Sequence, residues 1–153
     1  LGKYAAGRNV RLAVECLNRY ESYFMTRLEQ SMKLCKEIGL DNVGVMGDLF
    51  HMNIEEPDPA ESVRQTGKYL FHLHIADTNR AAPGRGHLDW KAFVKALKDI
   101  KYNNYLAMEI IPADTDAFGA FFSTGKAVKP FEEFKDKYTK ESIDFLKKIY
   151  AQV

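Results

Sequence analysis

Residues 69–90 read YLFHLHIADTNRAAPGRGHLDW. The stretch opens on a near-continuous apolar run from Tyr69 to Ile75 and crosses a Pro/Gly-rich loop to Asp89, which is placed to cap a helix. In that helix Trp90, Phe93, Val94, Leu97 and Ile100 recur at helical spacing. A run without clean polar alternation is what a parallel strand covered on both faces requires. Strand, loop and helix in this order make one βα unit.

The same unit recurs on either side. Val10–Leu17, Asn42–Gly47 and Tyr105–Ile111 are further apolar runs of strand length. Phe24, Leu28, Met32, Cys35 and Ile38 recur at spacings that predict a helix, and Gly39 follows as its stop. Asp58-Pro59-Ala60-Glu61 reads as an N-cap, a first-turn proline and an acid three residues after the cap. A last helix is expected from about Tyr138 to Tyr150, with Ile143, Leu146 and Ile149 on one face. Strand and helix alternating four times predict an α/β fold with a parallel sheet. Two closures satisfy that order: an open doubly wound sheet or a (β/α)8 TIM barrel. A barrel takes eight units and about 250 residues. The 153 residues present would supply half of one, so length alone favours the open sheet.

Composition removes several classes. Lys and Arg number 22 against 21 Asp and Glu, a formal charge of +1, with 46% hydrophobic residues. Such a balance argues against nucleic acid and against an anionic membrane surface as partners. No apolar run approaches the roughly 18–20 residues of a membrane span. Leu1-Gly2-Lys3-Tyr4 has no signal-peptide pattern, and Cys16 and Cys35 stand apart in apolar surroundings without CxxC spacing. A cytoplasmic location is the expectation.

Each candidate strand ends on an ionisable residue: Glu15, then Asp48 33 residues later, His74 26 after that, and Glu109 a further 35 on. In any one strand this is most simply a charge at a strand-to-loop junction. Four in four, about one βα repeat apart, predict a common site, because a barrel gathers the C-terminal ends of its strands at one mouth. Three carboxylates and one imidazole meeting there would be metal ligands. An oxygen-rich set with one imidazole suits Mn²⁺ first, with Mg²⁺ or Co²⁺ as alternatives, over the Cys/His tetrahedra of structural zinc.

In this order and spacing, VECLNRYE, DLFHMNIEE, HLHIADTNRAAPGRGHLDW and AMEIIP resemble the sugar isomerase/epimerase group of xylose-isomerase-like TIM barrels. Within it they look most like the D-tagatose/D-psicose 3-epimerases. The likeness runs over about residues 10–112. It implies a TIM barrel of which the whole chain, residues 1–153, is the C-terminal half of a single domain, strands five to eight with their helices. The N-terminal half would then be a partner absent from this chain. It implies Glu15, Asp48, His74 and Glu109 as metal ligands, and Glu15 and Glu109 also as the catalytic pair exchanging a proton. It further implies Glu21, His51 and Arg80 as sugar contacts. The oligomeric state stays open, although barrels of this group often pair.

The chemistry these residues would serve is inversion at C3 of a ketose through an enediolate. The C3 hydrogen, α to the C2 carbonyl, needs Lewis-acid help to leave at neutral pH. Inversion needs removal from one face and return on the other, hence two carboxylates. Alternatives are an aldose–ketose or hydroxypyruvate-type isomerase, a dehydratase related to inositol catabolism, and a non-catalytic sugar-binding domain. A repair endonuclease of the same superfamily is disfavoured, since the His-rich multi-zinc set is missing.

Other features read more plainly. His72 shares a strand face with His74 and is expected as a packed neighbour; Glu55-Glu56 reads as a solvated acidic turn; Arg85 and His87 lie in a glycine turn. Leu49 stands where the group commonly has a small polar residue, and residues 113–130 lack the expected Gly-rich character. Ser123-Thr124-Gly125-Lys126 misses the P-loop spacing. Phe118, Phe121 and Phe122 are expected as core or lid residues.

Overall fold

Four strands lie side by side in chain order, all parallel. The computed structural model describes residues 1–111 and 129–153, with 129–134 described as backbone only. The Ser123–Lys126 motif and Phe118, Phe121 and Phe122 lie outside the described residues. After a short helix α1 (Gly2–Ala6) come β1 (Leu12–Glu15), α2 (Leu28–Ile38), β2 (Val43–Asp48), α3 (Leu49–Glu55) and α4 (Pro59–Thr66). A 3-10 turn (Gly67–Tyr69) leads into β3 (Leu70–Ile75), followed by α5 (Trp90–Asp99), β4 (Leu106–Met108) and α6 (Lys129–Gln152).

The helices start where the sequence supplies caps. Asp58 Oδ1 accepts from Glu61 N at 3.0 Å and Asp89 Oδ1 from Ala92 N at 3.0 Å. Gln30 Oε1 accepts from the backbone N–H of Arg27 and Thr26, so α2 begins at Leu28 rather than at Phe24, which is 70% exposed. The left-handed Gly39 ends α2 as expected. α3 is unforeseen: Asp48 closes β2 and also caps α3 by accepting from Phe50 N at 2.9 Å.

Side-chain parity divides the sheet into two unlike faces. Val43, Val45, Leu73 and Ile75, joined by Leu70 across a register shift between β2 and β3 at Val45/Met46, pack against Leu28, Val63, Phe93, Val94, Leu97 and Leu146 from α2, α4, α5 and α6, and all are buried. Each such side chain contributes about 1.5–3 kcal/mol on leaving water. Leu49 belongs to this core, being 1% exposed, which accounts for a large apolar residue beside Asp48. On the opposite face the register aligns Ala13 with Gly44, Glu15 with Met46, and Asp48 with His74 and Ala107. This face is only partly covered: Ala13 is exposed, and Glu15, Met46, His72, His74 and Ala107 are half-buried. A parallel sheet packed on one face only, with its strands in sequential order, is the arrangement of adjacent strands in a barrel wall. Among the described residues no helix is long and apolar enough to cross a membrane.

Candidate metal centre

The two-residue period of the strands delivers Glu15, Asp48, His74 and Glu109 to one point on the open face. Glu15 and Asp48 are the last residues of β1 and β2, His74 is the last but one of β3, and Glu109 directly follows β4. One ligand atom from each lies within 4.8 Å of the others. His74 Nδ1 stands 2.7 Å from Glu109 Oε2, 3.7 Å from Asp48 Oδ2 and 4.0 Å from Glu15 Oε1. Three carboxylates around one imidazole nitrogen form an oxygen-rich donor set that fits a hard divalent cation.

Arg80 reaches the same point from the loop after β3. Its Nη1 donates to both oxygens of Asp48 at 2.9 Å, its Nη2 donates to Glu109 Oε2, and its guanidinium carbon sits 4.7 Å from the centre of the Phe50 ring. The protonation states follow from burial and neighbours. Burial, and then the hydrogen bond with Glu109, push Asp48 up to about 7 against the pull of Arg80. Burial also raises Glu15. For Glu109 burial is outweighed by the hydrogen bond with Asp48, by Arg80 and by His74, so its carboxyl lies below the usual range.

The remaining sequence candidates sit beside this cluster. His51, on the first turn of α3, is 4% exposed, with Asn18 Nδ2 2.7 Å from its Nδ1. Glu21, in the loop after β1, stands outside the four-residue cluster. It accepts from the same Asn18 Nδ2 at 2.8 Å, and its Oε1 is 3.8 Å from His51 Nδ1. His72 packs its ring edge-on to His74, centroids 5.3 Å apart.

Two residues that sequence reasoning passed over hold the site's loops. Asn18 is 2% exposed and Asp77 fully buried. Asp77 accepts from Thr78 N (2.8 Å), Gly84 N (2.8 Å), Leu88 N (3.2 Å) and Trp90 Nε1 (2.9 Å). Gly84 answers this with φ +90°, a backbone that favours glycine. Within the same loop Arg80 takes φ +62°, its N–H donates to Asp77 O at 2.9 Å, and its carbonyl accepts from Ile111 N at 2.8 Å. An aspartate followed by a Pro/Gly loop and a tryptophan is the only trace of this hub in the sequence.

Glu55 and Glu56 do not form a solvated turn. Their side chains are 4% and 2% exposed. Glu55 takes the N–H and guanidinium of Arg19 at 2.8–3.1 Å, pinning the β1–α2 loop to α3. Glu56 accepts from Leu28 N and from Ser62 Oγ, each at 2.8 Å, placing a carboxylate at the start of α2 where the helix dipole favours it.

The xylose isomerase-like TIM barrel family matches residues 1–149. D-psicose 3-epimerase of Enterocloster bolteae is 36% identical over 153 residues, 99% of this chain and 51% of that protein. The D-psicose 3-epimerase of Ruminiclostridium cellulolyticum is 40% identical over 109 residues, 71% of this chain and 37% of that protein. Among solved structures, a D-psicose 3-epimerase with D-tagatose from Clostridium cellulolyticum superposes with a TM-score of 0.84 at 33% identity, covering 97% of this chain and 52% of the other. The chain spans about half the length of the curated relatives it matches, or less. It belongs to the xylose isomerase-like TIM barrel family.

Proposed function

We propose that the chain is the C-terminal half of a TIM barrel, strands five to eight, and that the whole barrel is a divalent-metal-dependent ketose 3-epimerase. The observation that carries this reading is the convergence of Glu15, Asp48, His74 and Glu109, with ligand atoms within 4.8 Å, at the C-terminal ends of four parallel strands. The relatives named as D-psicose 3-epimerases support the choice of reaction. The half-covered open face of the sheet supports an N-terminal half-barrel as the partner that closes over it. Free, buried Cys16 and Cys35 suit a reducing compartment, the cytoplasm.

In this reading Glu15, Asp48, His74 and Glu109 hold the cation, Mn²⁺ in preference to Mg²⁺ or Co²⁺. When bound, the cation supplies Lewis acidity that eases loss of the C3 proton. Glu15 and Glu109 come from the first and last strands of the half-barrel and flank the substrate. One takes the proton from C3, leaving an enediolate across C2 and C3, and the other returns a proton to the opposite face. Arg80 holds the sugar oxygens. His51 and Glu21 bind further oxygens.

The test follows deuterium by NMR in D₂O, using the full-length protein with Mn²⁺ and a panel of ketoses. Label at C3 with a new epimer is the expected result. Label at C1 or C2 with an aldose would transfer the site to an isomerase, and no label with any sugar despite bound metal would overturn the reading.

A further inference from the structure

The Asn18 amide fixes more than the path of its loop. Tyr20 N–H donates to Asn18 Oδ1 at 2.9 Å. A backbone N–H is only ever a donor, so the atom it meets must be the amide oxygen, and the orientation of the amide is settled. The other terminal atom is Nδ2, with two hydrogens and no lone pair to offer. One hydrogen goes to Glu21 Oε1 at 2.8 Å and the other faces His51 Nδ1 at 2.7 Å. A proton on Nδ1 would set two donors against each other at that distance. Nδ1 therefore accepts, and the ring proton sits on Nε2.

We infer that Asn18 is a positioning residue that locks His51 as an Nε2–H donor and Glu21 as an acceptor, and so sets the hydrogen-bond polarity of the sugar subsite. The functional part rests on the reading of His51 and Glu21 as substrate contacts. Burial lowers the affinity of His51 for a second proton, with Arg80 and His74 adding to that and Glu21 and Glu109 opposing it, which favours the neutral ring. A neutral Nε2–H wants a ligand oxygen with a lone pair, whereas a carboxylate wants a hydroxyl. Carbonyl and hydroxyl oxygens of an unphosphorylated hydroxyketone meet both demands. A phosphate beside Glu21 would meet repulsion.

The test uses the full-length, Mg²⁺-loaded protein with ¹⁵N-labelled histidine, read by long-range ¹H–¹⁵N correlation, with the His51 ring assigned by its loss in H51Q. The expected wild-type spectrum has Nε2 protonated and Nδ1 bare. Asn18→Asp keeps the acceptor for Tyr20 N–H but puts an oxygen in front of Nδ1. It should move the proton to Nδ1 and raise the KM for ketose about tenfold, with a smaller change in kcat. A wild-type ring protonated at Nδ1 overturns the inference without any variant, and so does an N18D ring whose Nδ1 stays bare. Because the tautomer is read without turnover, a protein lacking epimerase activity but showing the expected tautomer would sink the proposed reaction and leave the role of Asn18 standing.

Discussion

Arg80 Nη1 donates to both carboxylate oxygens of Asp48 at 2.9 Å, so one guanidinium nitrogen spans a buried acid while its neighbour engages Glu109. Arg80→Ala in the full-length enzyme is expected to raise the KM for ketose by about tenfold with kcat less affected, as for a residue that holds the sugar in ground and transition state alike. Steady-state kinetics separate the two. A fall in kcat with KM unchanged would assign Arg80 to the transition state alone.

Glu109 belongs to the cluster proposed to hold the metal, and its neighbours bring its carboxyl below the usual range. Glu109→Gln should lower turnover by at least about 10²-fold, the contribution of a positioned base, while circular dichroism stays that of the wild type. Activity retained above a few per cent would exclude a two-carboxylate exchange.

Removing metal should show in stability as well as in rate. Chelation is expected to abolish C3 exchange, and Mn²⁺ to restore it. Mn²⁺ at a hundred times its Kd should add about 2.7 kcal/mol to the unfolding free energy. His74→Ala should lose both effects, and a wild-type Tm indifferent to Mn²⁺ would remove the metal from the reading.

Asp77 gives a stability prediction with a sign in pH. Burial pushes its carboxyl up, but the Trp90 indole and the N–H groups of Thr78, Leu88 and Gly84 bring the net below the ordinary 3.8. A pKa lower in the folded than in the unfolded state stabilises fully above the unfolded value and is lost as pH falls through the folded one. Asp77→Asn should therefore cost on the order of 3 kcal/mol near neutrality, and the Tm gap to wild type should narrow below pH 3.8. A gap independent of pH would mean that the charge on Asp77 is immaterial.

At Gly44 a Cβ would run into the ring of Phe71, which itself lies beneath the Arg11 guanidinium. Gly44→Ala should destabilise by about 1–3 kcal/mol through overpacking, measured by denaturant unfolding. A neutral effect would show that Phe71 is free to turn aside.

The four ligand candidates and the parallel sheet were legible because each strand writes its own end: an apolar run, then a charge, about one βα repeat apart. Asn18, Asp77, Glu55 and Glu56 were not, because burial of a loop polar residue is decided by what folds over it. Asn18 meets its partner 33 residues away on His51, and Glu56 meets the N–H of Leu28 from 28 residues downstream. α3 escaped because its cap, Asp48, was already accounted for as the end of a strand. Phe24 fits the helical pattern by its four-residue step to Leu28, yet the Gln30 cap begins the helix later.

β2 passes into α3 with no residue between them. Asp48 and His51 therefore ride on a single stiff joint, and their separation is set by strand and helix geometry instead of by loop sampling. A site framed this way resists small relocations of either group. Retuning of the ligand preference by sequence change would fall to the spans on either side, 16–27 and 76–89, where side chains hang from irregular backbone. A catalogue of variants with altered sugar selectivity should be thin at residues 48–51 and dense in those two loops.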